Sequence, residues 1–452
     1  MKWQQLISTK RLGQEDGHIL RVDDRSEFKR DYDRLIFSAP FRRLQNKTQV
    51  FPLPGSIFVH NRLTHSLEVA CVGMSLGNDV SRKLIAKHPE LLGTHFEEIG
   101  TIVSAACLAH DMGNPPFGLS GEKAIQAFFT EGNGMNLKGM LSESFWNDIT
   151  HFEGNANAFR LLTHQFKGRR RGGFVMCYST LASIVKYPIS SGFAGEHGKF
   201  GFFTSESQTY QKIAQELGIP QLISNKENED ISDNGLCYAR HPLVYLVEAA
   251  DDICYEIMDI EDAHKLKILS FHETEELLLG FFDPKTRELI QQRIIHEGLT
   301  DDNEKVVYMR ARVIGLLENE CVNAFVNHEE EILNASFKGS LIKHVSPQVA
   351  EAYQHCTHVS SKKIYRSKSV LDVELSGYKI METLMEDLIE AAISPSKFHS
   401  KQLIGRFSSQ YDIDSDDLET RIMAVLDYIS GMTDVYALDI YQKINGISLP
   451  II

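Results

Sequence analysis

Two histidines and two aspartates in apolar surroundings are the residues of this sequence best suited to chemistry. His110 and Asp111 are adjacent and follow the apolar run AACLA. His65 opens the segment HSLEVA, and Asp251 lies within VEAADDICY. Buried carboxylates and buried charged imidazoles are costly without partners, and one divalent cation held by all four would remove that cost. Mixed imidazole and carboxylate ligands suit Mn²⁺, Fe²⁺, Co²⁺, Ni²⁺ or Zn²⁺, and Mg²⁺ less readily. The pattern predicts a metal centre.

The elements that must position these residues are predicted to be helices. Apolar residues recur at helical spacing through most of the chain, while alternating strand patterns are scarce. Residues 98–110 are predicted to form a buried helix, which the following sequence GNPPFG must break. A long helical pattern covers residues 241–262, and Thr64 is a candidate N-cap for the helix that carries His65. We therefore expect an all-α protein.

Composition narrows the class of protein. The chain has 452 residues, a net charge of −14 and seven irregularly spaced cysteines, a number and spacing that argue against a disulfide framework. No apolar run is long enough to span a membrane, and the opening residues lack the pattern of a signal peptide. We expect a cytoplasmic protein without membrane association. The net charge argues against a nonspecific nucleic-acid coat, and the basic run at residues 167–171 is either a solvated loop or a contact for single-stranded DNA or a neighbouring subunit.

Eight segments between about residues 41 and 443 contain the four candidate ligands or lie before, between or after them along the chain. In chain order they are FRRLQNKTQVF, HNRLTHSLEV, AHDMGNPPFG, HFEGNA, SIVKYP, KFGFF, AADDICYEIMDIEDA and SGMTDVYALDIYQK. With the order histidine, His-Asp, distant aspartate, this set resembles the HD-domain phosphohydrolases and, more narrowly, the deoxyguanosinetriphosphate triphosphohydrolase (dGTPase) family. The resemblance implies one mainly helical unit over 1–452, with an HD metal-binding core at 55–265 and a helical C-terminal region at 266–452.

The resemblance also implies an activity. Such enzymes hydrolyse a dNTP, here with dGTP preferred, to the deoxynucleoside and tripolyphosphate by attack at the α-phosphorus. A divalent metal ion would be held by His65, His110, Asp111 and Asp251, with Mg²⁺ or Mn²⁺ the first candidates and Co²⁺, Ni²⁺, Fe²⁺ or Zn²⁺ the alternatives. The family further implies a dimer-based homo-oligomer, up to a hexamer, and single-stranded DNA as an effector.

The same resemblance leads to two candidate catalytic residues. Glu122 matches the family's catalytic glutamate after the His-Asp pair, although a glutamate in the first turn of a helix is also favoured by the helix dipole alone. Family members commonly carry a histidine where this chain has Leu119. We hypothesise that His151, in the segment THFEGN, supplies the imidazole instead.

The predicted substrate contacts fall into three groups. One group resembles residues that face the triphosphate, a second resembles residues that pack against C2′ of the sugar, and a third lies on the helix of Asp251, sharing its face at four-residue spacing. Ordinary solvated lysines and a core tyrosine are the alternatives for the first and third groups. The first group is Arg62, Lys186, Tyr187 and Lys199, the second is Gln49 and Val50, and the third is Tyr255 and Asp259. Asn155 is predicted as a further substrate contact.

Two other functions stay open at this point. The chain could be another HD-domain nucleotide phosphohydrolase, which would release orthophosphate or pyrophosphate. It could also be a regulator that binds nucleotide or single-stranded DNA and whose catalytic site has decayed at Leu119. Tight binding without metal-dependent turnover would identify this last case.

Overall fold

The computed structural model of the chain describes residues 1–15, 24–53, 58–194, 198–222 and 236–448. Within these ranges the chain forms α-helices, 3₁₀ segments and a π-helical turn at Ser360–Ile364, with isolated bridges but no β-strand, so the all-α prediction is confirmed. The α-helices of the described ranges are α1 (Trp3–Leu6), α2 (Glu27–Ile36), α3 (Ala39–Arg43), α4 (Arg62–Lys87), α5 (Ile99–Ala109), α6 (Gly118–Thr130), α7 (Glu143–Thr150), α8 (Gly154–Thr163), α9 (Tyr178–Ile184), α10 (Ser207–Leu217), α11 (Val244–Lys265), α12 (Phe271–Leu279), α13 (Pro284–His296), α14 (Asp302–Asn327), α15 (Glu329–Leu333), α16 (Pro347–Val359), α17 (Lys368–Ile393), α18 (Phe398–Ile404), α19 (Leu418–Ser430) and α20 (Asp434–Ile444).

Helix α5 lies at the centre of the larger of two apolar cores. All its residues except Thr101 are buried, as expected for a helix that is apolar on nearly every side. Helices α2, α4, α9 and α11 pack around it. The buried helix predicted over residues 98–110 is therefore confirmed, and its last turn delivers His110 to the interior.

Close contact between α4 and α5 sets the register that brings the two histidines together. A Cβ atom on Gly77 would lie 2.6 Å from the Cα of Gly100, so the helices touch backbone to backbone. At 1.5 Å of rise per residue, His65 lies about 18 Å from this contact along α4, and His110 lies about 15 Å from it along α5. Because the helices are antiparallel, both histidines reach the same end of the pair, where their ring centroids are 5.4 Å apart.

Helix α4 begins earlier than the sequence predicted. Asn61, not Thr64, is the N-cap: its side chain accepts a hydrogen bond from the Thr64 N–H at 3.0 Å, and the Thr64 hydroxyl accepts one from the Asn61 N–H at 3.1 Å. Thr64 is thus the third helical residue of a reciprocal capping box. The earlier start puts Arg62 in the same first turn as His65.

A second apolar core joins α6 and α7 to the C-terminal helices. Helix α17 packs against α6, α18, α19 and α20, and residues such as Ile125 and Phe129 of α6 share this core with Met381 and Leu384 of α17. Helix α6, which carries Glu122, is therefore anchored by the C-terminal helices. None of the helices in the described ranges is both long and apolar enough to cross a membrane.

Candidate metal centre and active-site cleft

Three of the predicted metal ligands converge from the N-terminal turn of α4, the C-terminal end of α5 and the middle of α11. His65 Nε2 lies 3.1 Å from Asp251 Oδ1, and His110 Nε2 lies 3.5 Å from the same oxygen. One ligand atom from each residue lies within 4.8 Å of the others, so a single cation could contact all three. We call His65, His110 and Asp251 the metal trio.

The orientation of His110 fits a metal ligand. Its Nδ1 lies 2.6 Å from the carbonyl oxygen of Cys107, an arrangement that orients ligating imidazoles in metal sites. Its Nε2 is buried and has no hydrogen-bond partner. Burial alone would lower the pKa of His110, but Asp111 and Asp251 outweigh it and raise the pKa to about 9. Without a cation the pocket thus favours a proton, which a divalent ion would replace. The residues present fit a metal ion.

Asp111, the fourth predicted ligand, lies beside the metal trio with both oxygens engaged. Its Oδ1 is 3.7 Å from His110 Nε2 and accepts a hydrogen bond from Asn114 Nδ2 at 2.5 Å. Its Oδ2 accepts one from Arg62 Nη1 at 2.7 Å. Burial would raise the pKa of Asp111, but Arg62 and His110 hold it below its usual value. Asp111 is therefore ionised, and Arg62, which was predicted to face phosphate, neutralises it here.

A cleft of about 220 Å³ opens beside the metal centre. Its walls combine two members of the metal trio with predicted catalytic and substrate residues and with carboxylates. The lining residues that matter here are His110, Asp111, Asp251, Glu122, Asn155, Lys186, Tyr187, Lys199, Glu153 and Glu248.

Both cleft lysines are charged and held by carboxylates. Lys186 Nζ lies 3.3 Å from Glu248 Oε1, and Lys199 Nζ donates to Glu153 Oε1 at 2.6 Å. Burial would lower the pKa of each ammonium, but Glu248 raises the pKa of Lys186 and Glu153 raises that of Lys199. The cleft thus holds two cations that could exchange these carboxylates for the oxygens of an anionic ligand.

Glu122 has the environment of a proton-transfer group. Its side chain is only 6% exposed, and its Oε1 accepts a hydrogen bond from the Gly154 N–H at 2.9 Å. Burial and the neighbouring Glu153 raise the pKa of Glu122 to about 7, against the opposing charge of Lys199, whose Nζ is 3.9 Å away. A carboxyl group with a pKa near neutrality can accept or give a proton at physiological pH.

Two glycines allow the start of α8 to pack directly on the loop that follows the His-Asp pair. A Cβ atom on Gly113 would collide with the backbone of Ala158, and one on Gly154 would collide with Asn114 Oδ1 and lie 2.7 Å from Glu122 Oε1. Only glycine leaves room at these two positions. The loop and Glu122 are therefore positioned by direct backbone packing.

Two buried side chains from distant segments also hold this loop. Asp434 Oδ1 accepts a hydrogen bond from the Phe117 N–H at 2.9 Å, and its Oδ2 accepts one from the Thr48 N–H at 2.8 Å. Lys47 Nζ donates to the carbonyl of Asn114 at 2.6 Å and to the last carbonyl of α19 at 2.8 Å. Phe117, at a φ of 60°, is thereby fixed in the left-handed conformation that starts α6.

Leu119 and His151 are not among the residues that line this cleft. Leu119 is 61% exposed in the first turn of α6. His151 ends α7, and its Nδ1 lies 3.0 Å from the carbonyl oxygen of Asn147. Its Cδ2 faces Gly198, the neighbour of Lys199. A role for His151 in proton transfer therefore stays a prediction.

The four predicted sugar contacts lie outside the cleft wall as well. Asp259 Oδ2 accepts a hydrogen bond from the Tyr365 hydroxyl at 2.9 Å, and the rings of Tyr255 and Tyr365 have centroids 6.0 Å apart. Gln49 Oε1 is buried without a hydrogen-bond partner, and Val50 packs at the edge of the larger core. The unpartnered amide oxygen of Gln49 is the feature of this group that favours a polar ligand.

Sequence reasoning missed the carboxylates that hold the cleft lysines. Glu153 lies within the segment HFEGNA and caps α8, accepting hydrogen bonds from the backbone of Asn155 and Ala156. Glu248 lies one turn before Asp251 on α11 and also pairs with Arg240 at 2.9 Å. The spacing of Glu248 from Asp251 is a usable signal for the same helix face, whereas nothing in the sequence indicates the pairing of Glu153 with Lys199.

Comparison with known proteins gives two family matches and several full-length relatives. Residues 62–186 match the HD domain, and residues 343–443 match the phosphohydrolase-associated domain. A Pseudomonas aeruginosa protein named deoxyguanosinetriphosphate triphosphohydrolase-like protein is 37% identical over the whole of both chains. A protein of the same name from Synechocystis is 36% identical over 99% of this chain and 100% of its own. A Yersinia enterocolitica protein named deoxyguanosinetriphosphate triphosphohydrolase is 28% identical over 92% of this chain and 93% of its own.

Proposed function

Because the chain belongs to the deoxyguanosinetriphosphate triphosphohydrolase-like family of HD-domain phosphohydrolases, we propose that it hydrolyses deoxynucleoside triphosphates, with dGTP preferred. The products would be the deoxynucleoside and tripolyphosphate, formed by attack at the α-phosphorus. One observation carries the proposal. The buried, unpartnered Nε2 of His110 lies 3.5 Å from Asp251 in a centre that opens into a cleft with two charged lysines.

The metal trio would hold the divalent ion, with Asp111 the predicted fourth ligand. The ion would polarise a phosphoryl oxygen and lower the pKa of a bound water. Arg62 keeps Asp111 ionised and ready for such a role through its 2.7 Å hydrogen bond. Mn²⁺ and Mg²⁺ are the first ions to test, followed by Co²⁺, Ni²⁺, Fe²⁺ and Zn²⁺.

The cleft lysines would bind the triphosphate. Lys186 lies beside Glu248, and Lys199 lies beside Glu153 and, at 3.9 Å, Glu122, so phosphate oxygens would replace these carboxylates as partners of the two lysines. Neutralising and positioning the phosphates is the main task of a protein in phosphoryl transfer. Tyr187 and Asn155, which line the same cleft, are available for further phosphate or sugar contacts.

Glu122 would accept a proton from the attacking water. Its pKa of about 7 makes it a base that is half ionised at neutral pH and an acid once it has taken the proton. When Lys199 moves to the substrate, Glu122 would lose the nearby cation that lowers its pKa, while Glu153 would still raise it. Substrate binding would thus raise the basicity of Glu122.

The exposed Leu119 favours one alternative, a nucleotide-binding regulator without turnover. Leucine cannot transfer a proton, and the Leu119 side chain is exposed to solvent, at the position where the family that the sequence resembles commonly carries a histidine. Another nucleotide phosphohydrolase would use the same metal trio on a different phosphate. The homo-oligomer, the single-stranded DNA effector and the cytoplasmic location belong to the proposal as the family's expectations.

Products of dGTP hydrolysis test the proposal. The protein is incubated with dGTP and Mn²⁺, and the products are followed by phosphorus NMR. Tripolyphosphate supports the proposal, orthophosphate or pyrophosphate assigns another phosphohydrolase, and tight dGTP binding without turnover assigns the regulator. A panel of the four dNTPs with and without single-stranded DNA then reports base preference and activation.

Two matched variants attribute the turnover to this cleft. Glu122→Gln should lower kcat by about 10²–10⁴-fold, the usual contribution of a positioned acid or base. Glu131→Gln makes the same chemical change at the exposed C-terminal end of α6 and should leave kcat unchanged. Equal rates for the two variants would show that Glu122 is not the base.

A further inference from the structure

Arg240 lies behind the wall of the active-site cleft, in the segment that leads into α11. It is not among the residues that line the cleft, whereas Lys186 and Glu248 are. Its guanidinium is held on three sides. Nε donates to the carbonyl oxygen of Lys186 at 3.0 Å, Nη2 donates to Glu248 Oε2 at 2.9 Å, and Cζ lies 4.6 Å from the ring centroid of Tyr245. Arg240 is therefore anchored to two residues of the cleft without lining the cleft itself.

Glu248 bridges Arg240 and Lys186. Its Oε1 lies 3.3 Å from Lys186 Nζ, while its Oε2 accepts the hydrogen bond from Arg240. The Glu248 side chain is only 11% exposed, so its carboxylate would be costly to keep in the cleft wall without a cation. Glu248 also lies one helical turn before Asp251, and both residues line the cleft. This wall would repel an anion unless the charge of Glu248 is neutralised.

The two cations beside Glu248 differ in what they can do when an anion enters the cleft. Lys186 lines the cleft, and its ammonium lies at the end of a flexible side chain, so it can leave Glu248 for phosphate oxygens. Arg240 stays in place, because its guanidinium is hydrogen-bonded to the Lys186 carbonyl and stacked on the buried ring of Tyr245. Once Lys186 has moved to an anion, Glu248 therefore still has Arg240 as its partner.

We propose that Arg240 is a positioning residue that neutralises Glu248 and thereby frees Lys186 to bind the triphosphate. The inference rests on the proposed function, because it takes the anion in the cleft to be the triphosphate of a dNTP. Without the charge of Arg240, Glu248 would hold Lys186 more tightly and would then face the phosphates as an unpaired carboxylate. Like charges a few ångströms apart in a partly buried site can change an affinity by about tenfold or more. Arg240 thus acts on the substrate through Glu248 and does not touch it.

A double-mutant cycle on the full chain tests this coupling. The variants are Arg240→Gln, Glu248→Gln and the two combined, with Arg293→Gln as the matched control. Arg293 also pairs with a glutamate, Glu297, at 2.6 Å, but it lies on the exposed surface of α13. KM and kcat are measured from the release of tripolyphosphate with dGTP and Mn²⁺. The Kd of dGTP in EDTA is measured by titration calorimetry, and the binding is assigned to the cleft by its loss in Lys186→Ala.

We expect Arg240→Gln to raise KM and the Kd of dGTP at least about tenfold, while kcat stays within about threefold of the wild type. In the Glu248→Gln background the same substitution should raise both constants less than about threefold, because the carboxylate that Arg240 neutralises is already absent. Arg240→Lys keeps the positive charge and should recover most of the affinity lost in Arg240→Gln. Arg293→Gln should match the wild type.

Equal losses from Arg240→Gln in both backgrounds would overturn the proposal, because Arg240 would then act on the fold or directly on the anion. An unchanged KM in Arg240→Gln would also overturn it. If Arg240→Gln does not fold, Glu248→Gln decides alone: it should lower the Kd of dGTP, since Lys186 loses a competing partner, and an unchanged or higher Kd contradicts the proposal. A wild type that shows this pattern in binding but releases no tripolyphosphate refutes the proposed function and supports the role of Arg240, whereas a wild type that neither binds nor hydrolyses dGTP refutes both.

Discussion

Replacing Glu122 by glutamine should stabilise the metal-free protein while it removes most of the activity. Glutamine has the shape of the protonated carboxyl group, and its oxygen can still accept the Gly154 N–H. It cannot ionise, so it avoids the cost that burial and the nearby Glu153 impose on the carboxylate. A residue whose pKa is shifted for function often lowers the free energy of unfolding.

The size of this effect follows from the pKa of Glu122, which is about 7 in the folded chain against a usual value of 4.5. Because the folded chain holds the proton more tightly, the unfolded chain releases it first as the pH rises. The free energy of unfolding therefore falls between about pH 4.5 and pH 7. Integrated over that interval, ionisation of Glu122 costs about 3 kcal/mol at pH 8 and less than about 1 kcal/mol at pH 5. Glu122→Gln should exceed the wild type in stability by these amounts.

Urea unfolding followed by far-UV circular dichroism, in EDTA at pH 5 and pH 8, measures the difference. Glu131→Gln, the exposed control on α6, should stay within about 0.5 kcal/mol of the wild type at both pH values. The reasoning is refuted if Glu122→Gln is no more stable than the wild type at pH 8, or if its advantage is the same at both pH values. The first result would mean that Glu122 is already ionised at little cost, and the second would mean that the gain in stability does not come from ionisation.

Three further substitutions can each be tested by a different measurement. Asp434→Ala leaves the buried N–H of Thr48 and the partly buried N–H of Phe117 unpaired, so thermal unfolding should report a loss of about 2–4 kcal/mol, and kcat should fall as well; unchanged stability would show that water replaces the carboxylate. His110→Ala should weaken Mn²⁺ binding at least about tenfold in a metal titration monitored by electron paramagnetic resonance, and an unaltered affinity would remove His110 from the metal trio. His151→Ala should bind Mn²⁺ normally but turn over dGTP more slowly, whereas full turnover would mean that His151 does not replace the imidazole missing at Leu119.

The helical class could be predicted, and the three residues of the metal trio could be chosen as candidate ligands, because local signals identify them. Helical periodicity identifies α5 and α11, and the apolar neighbours of His110 and Asp251 favour their partial burial. Their convergence depends on the helix register, which the contact of Gly77 with Gly100 sets. Glycines in a helical pattern indicate close packing without naming the partner, so the sequence alone does not give the geometry.

The environment of Glu122 could not be predicted in the same way. Its pKa depends on Glu153, and the charge of Glu153 is balanced by Lys199 in a loop far along the chain. None of these pairings follows a helical or strand spacing. The predicted N-cap of α4 was wrong for a related reason. Asn61 and Thr64 are both good capping residues, and only the backbone conformation decides between them.

The contacts of Lys47 and Asp434 argue that the two family matches form one functional unit. Asp434 and the last carbonyl of α19 lie within residues 343–443. Asp434 through Phe117, and the carbonyl through Lys47 and Asn114, fix the loop that follows the predicted metal ligands of the HD-domain match. Burial lowers the pKa of Lys47 to about 7 despite the nearby charge of Asp434, so this ammonium is costly to keep. Lys47 joins two carbonyl groups from separate regions, and its burial costs free energy. Such a residue is explained if the loop needs these hydrogen bonds to keep its conformation. A chain that ends before α17 would lose both tethers and the apolar surface that supports α6, so we expect Glu122 to lose its position relative to His110 and Asp111.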